Sequence, residues 1–177
     1  MIRFILLASL ALLLLSPLYG QNRVIPNKPY SILSSRPGYI LNNEFVVGIG
    51  LGDTGTPMSG SFVGATSTQG YQINRTFVIG GGTGMLFYDG GMMIPLYGSI
   101  RSRLGVALLT PYLNGNGGIL VGFNDAGSSM FINPEAGVRY TLNNNLAFTL
   151  GAGLWVQEGK SRNSFATMKL GVTFKPE

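Results

Sequence analysis

Apolar and polar side chains alternate along most of the chain, and the alternation is strictest close to its C-terminal end. Between residues 166 and 174, one parity is wholly apolar and the other carries only small or polar side chains. A period of two over about ten residues predicts a β-strand with one apolar and one polar face. The pattern recurs along the chain with turn residues between the repeats, which predicts an all-β protein.

Eight strands are predicted, each of roughly 9–14 residues, a length that suits a tilted strand crossing a bilayer. They span about residues 43–52, 60–73, 76–88, 92–103, 108–123, 129–142, 146–157 and 164–174. In the second predicted strand, Ser67 and Gln69 share the parity of the apolar Val63 and Tyr71. This mixed face predicts a β-bulge or a strand that rises above the bilayer.

The composition favours a membrane barrel. Charged residues make up only 11% of the chain, whereas an ordinary soluble domain carries about 25%. The chain has 27 glycines, and no internal run of about 20 apolar residues could form a membrane helix. Backbone groups in lipid must all be paired, so the sheet must close on itself. We therefore predict an eight-stranded antiparallel up-and-down transmembrane β-barrel over residues 43–175, in which the last strand pairs with the first.

The N-terminal segment has the layout of a secretory signal peptide. Arg3 precedes an apolar run over residues 5–15. We expect cleavage near Gly20, so that residues 1–20 are the signal peptide. Residues 21–42 are rich in Pro, Asn and Ser and are predicted to form an irregular periplasmic lead-in. This organisation predicts export to the cell outer membrane.

Charged residues on the predicted strands fall on the parity opposite to the apolar stripe, which places them inside the barrel. They are Glu44, Arg101, Arg103, Glu135, Arg139 and Lys169. A soluble lipocalin-like binding barrel is the alternative fold, but it needs an apolar interior and a charged exterior. Unpaired charges in a narrow lumen are costly, so we expect Glu44 to pair with a neighbouring base. The expected partner of Glu135 is one of three bases, namely Arg101, Arg139 and Lys169.

The predicted function follows from the width of the barrel. Eight strands leave an interior that side chains can fill, so we expect a closed lumen and a structural role. A narrow channel for small solutes, or a porin-like transporter of apolar solutes, is the alternative. Trp155 falls on the inward parity near the outer rim. It either plugs the mouth or, through a bulge, joins an aromatic girdle with Tyr88, Phe123 and Phe131.

Catalysis and cofactor binding are not expected. The chain contains no His, the commonest general base. Its loop carboxylates fall singly and form no pair; they are Asp53, Asp89, Asp125 and Glu158. Without His, Cys or a carboxylate cluster, no metal site is predicted. The net charge is +5, but the basic residues are scattered singly, so we expect no nucleic-acid partner, and a monomer is favoured.

Several short motifs, taken in order and spacing, resemble the small eight-stranded outer-membrane barrels of the OmpA/OmpX type, the outer membrane protein beta-barrel domain family. The matching segments are Val47-Gly48-Ile49-Gly50-Leu51, Gly70-Tyr71-Gln72-Ile73-Asn74, Ile94-Pro95-Leu96-Tyr97 with Arg101, Asn133-Pro134-Glu135-Ala136-Gly137-Val138-Arg139 and Lys169-Leu170-Gly171-Val172-Thr173-Phe174. The resemblance covers about residues 43–175 and implies no single activity. It implies a location among outer-membrane lipids. It also implies that the closing strand, with Gly171 and Phe174, is the assembly signal read by the barrel-assembly machinery.

Overall fold

The computed structural model describes residues 37–52, 59–105, 107–122, 127–142, 145–159 and 162–176. The predicted signal peptide and its cleavage position lie outside the described residues. The chain forms the strands β1 (Gly38–Gly50), β2 (Ser61–Gln72), β3 (Phe77–Tyr88), β4 (Gly91–Arg103), β5 (Leu109–Gly122), β6 (Ser128–Thr141), β7 (Leu146–Glu158) and β8 (Arg162–Phe174). Each strand pairs antiparallel with the next, and β8 pairs with β1, so the sheet closes into a barrel. The predicted eight-stranded antiparallel barrel is confirmed. The part of the chain described contains no helix long and apolar enough to cross a membrane.

The first strand is longer than predicted, because β1 begins at Gly38. The sequence hides this start, since residues 21–42 are rich in Pro, Asn and Ser. In the structure Asn42 is buried in the lumen, and its side-chain amide donates to Glu44 at 2.7 Å. The predicted irregular lead-in over residues 21–42 is therefore wrong at its C-terminal end, where the chain already belongs to the sheet.

The second strand continues without a bulge. Its pairings with β1 and β3 advance one residue at a time along both edges. Ser67 and Gln69 therefore stay on the outward face beside Val63 and Tyr71, in the body of the strand. The predicted bulge is wrong because backbone hydrogen bonds set the register, and two neutral polar side chains on the outer face do not interrupt them.

The exterior of the barrel is mainly apolar, with neutral polar residues such as Ser67 and Gln69 on β2. Ile49, Met168 and Leu170 point outward and are each about 60% exposed, at 64%, 63% and 59%. Among the described strand residues, the outward-facing charged side chains are Glu158 and Arg162, which lie opposite each other at the ends of β7 and β8. This exterior suits lipid and is the reverse of the charged exterior that a lipocalin-like barrel needs.

The two ends of the barrel differ. The base holds the start of β1, the end of β8 and the turns after β2, β4 and β6; the mouth is the opposite end. At the base, Asn74 Oδ1 accepts hydrogen bonds from the backbone N–H groups of Thr76 and Phe77, each at 2.8 Å. These bonds fix the tight turn between β2 and β3.

Outward-facing aromatic side chains, the base girdle, lie at the base of six of the eight strands, with none on β4 or β5. Its members are Tyr39, Tyr71, Phe77, Tyr140, Phe148 and Phe174. Aromatic residues collect where a barrel meets the membrane–water interface, because their rings are apolar and their hydroxyl or ring edges tolerate water. The base girdle therefore marks the edge of the lipid-facing band.

Candidate functional site

The buried side chains lie in the lumen, because alternate residues of every strand face the inside of the barrel. From mouth to base it contains an apolar mouth cluster, a central polar network and a base cluster of cations. The charged residues predicted to face inward all do so, and none is more than 7% exposed. They are Glu44, Arg101, Arg103, Glu135, Arg139 and Lys169.

The mouth cluster fills the upper lumen with apolar side chains. Its members are Val46, Phe62, Leu86, Tyr88, Met93, Leu120, Phe131, Trp155 and Phe165. Phe131 and Trp155 stack face to face, with ring centroids 4.2 Å apart and planes 2° from parallel. Phe62 packs edge-on against Phe165 at 5.1 Å and against Trp155 at 5.5 Å. Such aromatic contacts add to the free energy gained by burying the rings.

The position of Trp155 decides between two predictions. Trp155 is 2% exposed and lies inside the barrel. Tyr88 and Phe131, the other girdle candidates among the described residues, are also buried in the mouth cluster. The plug at the mouth is therefore confirmed for Trp155, and the girdle is wrong for these three residues. Phe123 lies outside the described residues.

Inward glycines give the large lumenal side chains their space. A Cβ built at Gly48 would overlap the Phe62 ring, and one built at Gly151 would overlap the Tyr112 hydroxyl and the Glu135 carboxylate. Glycine at these two positions therefore makes room for specific neighbouring side chains.

The first half of the central network is built around Glu44 on β1. Arg101 on β4 donates from Nη2 to Glu44 Oε1 at 2.7 Å, and Asn42 Nδ2 donates to the same oxygen at 2.7 Å. Lys169 Nζ lies 3.8 Å from Glu44 Oε2. The neighbouring base expected for Glu44 is thus Arg101, with Lys169 as a second, more distant cation.

The second half is built around Glu135 on β6. Of the three bases considered for it, the structure places Lys169 against it, with Nζ 2.8 Å from Oε2. The Tyr112 hydroxyl donates to Glu135 Oε1 at 2.5 Å. The guanidinium of Arg101 lies over the Tyr112 ring, 4.9 Å from its centroid, which joins the two halves. In the central network, the negative charges of Glu44 and Glu135 balance the positive charges of Arg101 and Lys169.

A row of asparagines extends the network and was given no role by the sequence. Asn133 Oδ1 accepts from Lys169 Nζ at 2.6 Å, and Asn133 Nδ2 donates to the Leu154 carbonyl at 2.9 Å. This hydrogen bond lies next to Pro134, a residue that has no backbone N–H with which to bond to β7. Asn116 donates to Asn133 Oδ1 at 3.4 Å. An Asn-Pro pair in mid-strand, with Asn on the inward parity, is the sequence signal for this contact.

The structure does not bring Arg103 and Arg139 into the central network. They lie nearer the base, 7% and 2% exposed, and Nε and Nη2 of each have no hydrogen-bond partner in the described part of the chain. Lys175 follows β8 at the same end. Burial, together with the positive charges of Arg103 and Arg139, lowers the pKa of Lys175. We call these three residues the base cluster.

The two residues of the predicted assembly signal lie on opposite faces of β8. Gly171 faces inward, and a Cβ there would meet the Thr149 hydroxyl at 2.5 Å and Glu44 Cγ at 2.8 Å. Phe174 faces outward in the base girdle and is 45% exposed. Gly171 therefore has a packing reason to be glycine, whereas Phe174 is open to contact from outside the barrel.

The described ranges contain no cluster of side chains that could hold a metal ion. No three His, Cys, Asp or Glu side chains come together there. The buried carboxylates of Glu44 and Glu135 are each held by a base.

Solved structures share the fold. The crystal structure of Neisserial surface protein A (NspA) aligns at a TM-score of 0.62 and 14% identity, over 80% of this chain and 99% of that chain. A structure from the de novo design of transmembrane β-barrels aligns at 0.49 and 17% identity, over 80% and 98%. The attachment invasion locus protein Ail of Yersinia pestis, in complex with the heparin analogue sucrose octasulfate, aligns at 0.46 and 13%, over 78% and 99%. No family model and no curated protein sequence matches the chain. The likeness to NspA is one of fold.

Proposed function

We propose that this chain, which has the fold of the small eight-stranded outer-membrane β-barrels, is an integral outer-membrane protein with a closed lumen and a structural, non-catalytic role. The filling of the lumen at two levels carries the proposal. The stacked rings of Phe131 and Trp155 close the mouth, and the Glu44–Arg101 ion pair crosses the lumen below them. A solute would have to displace both the aromatic cluster and a buried ion network to pass.

The exterior supports the membrane part of the proposal. An apolar band and the base girdle match the lipid-facing surface of a barrel that spans a membrane. Because the base holds both ends of the barrel and its short turns, we assign the base to the periplasm and the mouth to the outside. Outer-membrane lipids are then its surroundings, after export by the N-terminal segment.

The exposed Phe174 supports a second partner during biogenesis, the barrel-assembly machinery. An outward aromatic ring at the end of the closing strand is accessible before the chain is fully inserted. We assign the assembly signal to Phe174, with Gly171 giving β8 the room to close against Glu44.

Conductance in planar lipid bilayers tests the closed lumen. Purified, refolded protein should add no steady single-channel steps over a wide voltage range. The same sample should migrate differently on gels before and after heating, which establishes that the barrel is folded. Steady steps from heat-modifiable protein would overturn the closed-lumen proposal and favour the narrow channel.

A further inference from the structure

The base cluster contains two buried guanidinium groups that pair with no acid among the described residues. Arg103 and Arg139 have unpartnered Nε and Nη2 atoms in the part of the chain described. The lumenal acids nearest to them, Glu44 and Glu135, are occupied by Arg101 and Lys169. The other described acidic side chains, Asp89 and Glu158, lie at the mouth.

The two arginines point into the same space. Arg103 on β4 lies opposite Tyr112 of β5, and Arg139 on β6 lies opposite Thr110 of β5. Their strands thus flank one common strand, and two strand spacings across plus two residues along put their backbones about 12 Å apart. Both side chains are buried on the inward face near the base, and both are long enough to extend across such a separation. Lys175 lies close enough to both arginines for their positive charges to contribute to lowering its pKa.

A buried arginine cannot escape its charge by losing a proton, because the guanidinium pKa is too high. Burying such a charge without a partner is costly, and the cost is relieved when an anion is bound. The planar fork of a guanidinium matches the oxygen spacing of carboxylate and phosphate groups. Three cations together favour an oxyanion of more than one negative charge over a single carboxylate.

We propose that the base cluster of Arg103, Arg139 and Lys175 is a binding site for a phosphate group at the base of the lumen. Arg103 and Arg139 supply the forked hydrogen bonds, and Lys175 supplies a third positive charge at the rim. The phosphate group comes either from free inorganic phosphate or from a phospholipid headgroup beside the base girdle. This site is separate from the central network and does not depend on whether the lumen conducts.

The test is the thermal unfolding of the full barrel refolded in alkyl maltoside micelles, which contain no phosphate group, read by gel mobility. Sodium phosphate should raise the unfolding temperature in a saturable way relative to sodium chloride at equal ionic strength. Arg139→Gln and Arg103→Gln should each weaken the apparent phosphate affinity by about tenfold or more. Arg162→Gln removes the same charge at the mouth and should leave the phosphate response unchanged.

A lipid source is tested with the same micelles carrying phosphatidic acid and no inorganic phosphate. If the headgroup is the ligand, these micelles raise the unfolding temperature of the wild-type protein but not of Arg139→Gln, and added phosphate gives no further rise. Broadening of the inorganic phosphate signal in ³¹P NMR by the wild-type protein provides a readout that does not depend on the variants folding.

Three outcomes would overturn the proposal. The first is no effect of either phosphate source on the wild-type protein. The second is an equal response in wild-type protein and in Arg139→Gln. The third concerns Glu177, the acidic residue two positions after Lys175. If phosphate acts only on the Glu177→Gln variant, the chain's own carboxylate is the counter-charge and no external phosphate is bound.

Discussion

Arg101 on β4 donates to Glu44 on β1 across the lumen, with Nη2 2.7 Å from Oε1. The two strands are not neighbours in the barrel, so this ion pair links two walls that no backbone ladder joins. Glu44 is also held by Asn42, and Arg101 by the face of the Tyr112 ring. Because every partner is buried, removal of one charge leaves the other without compensation.

We expect Glu44→Gln to reduce the free energy of unfolding by about 3–5 kcal/mol, since it leaves the buried Arg101 charge unpaired. Urea unfolding in phosphatidylcholine vesicles measures it. Glu158→Gln, which removes an exposed carboxylate at the mouth, should leave stability nearly unchanged and is the matched control. Glu44→Gln combined with Arg101→Met should recover part of the loss. Similar stability for Glu44→Gln and Glu158→Gln would contradict the cross-lumen link.

The single tryptophan of the chain, Trp155, is a natural probe of the mouth cluster. We expect its fluorescence to be quenched weakly both by iodide and by lipids with brominated acyl chains, because the ring faces neither water nor lipid. Phe131→Ala should increase iodide quenching and cost about 3–5 kcal/mol of stability, as for other buried aromatic truncations. Phe148→Ala on the exterior should not change the quenching. Strong quenching of the wild-type protein by brominated lipid would place Trp155 outside the barrel.

Gly151→Ala should destabilise the barrel by about 1–3 kcal/mol, because the new methyl group overlaps the Tyr112 hydroxyl and the Glu135 carboxylate. Gly115→Ala is the control, since a Cβ at this outward position has no atom within 4 Å. The difference in urea midpoint between the two variants measures the contact. Tyr112→Phe in the Gly151→Ala background should relieve part of the overlap. Equal midpoints for the two alanine variants would show that the lumen repacks freely.

The sidedness of the barrel can be tested because the chain contains no cysteine. Arg75→Cys places a single thiol in the turn after β2 at the base, and Asp89→Cys places one in the turn after β3 at the mouth. We expect a membrane-impermeant maleimide to label Asp89→Cys in intact cells. Arg75→Cys should react only after the outer membrane is permeabilised. The opposite pattern would reverse the assigned orientation.

The faces of the strands could be predicted from the sequence because a period of two assigns each side chain to one side of a closed sheet. This reasoning placed Glu44 and Lys169 in the lumen and Phe174 on the exterior. It failed at the start of β1, where residues 38–42 were assigned to the irregular lead-in. It also failed at Ser67, where neutral polar side chains were taken for a β-bulge or for a strand that rises above the bilayer.

The partners within the lumen could not be predicted in the same way. Arg139 was a candidate for Glu135 because both face inward on β6, but four residues of a strand separate their backbones by about 13 Å. Lys169 reaches Glu135 from β8, two strands away, at a height set by strand tilt and stagger. A sequence specifies the face of each residue but does not give these heights directly.

The central network joins the first strand to the last. Glu44 comes from β1 and Lys169 from β8, and the two strands meet only at the seam where the sheet closes. Until that seam forms, Lys169 can reach Glu135 through the β6–β7–β8 sheet, but Glu44 lacks this second cation. Closure of the ring therefore brings an ammonium group between the two buried acids, so the charge balance of the central network is complete only in the closed barrel.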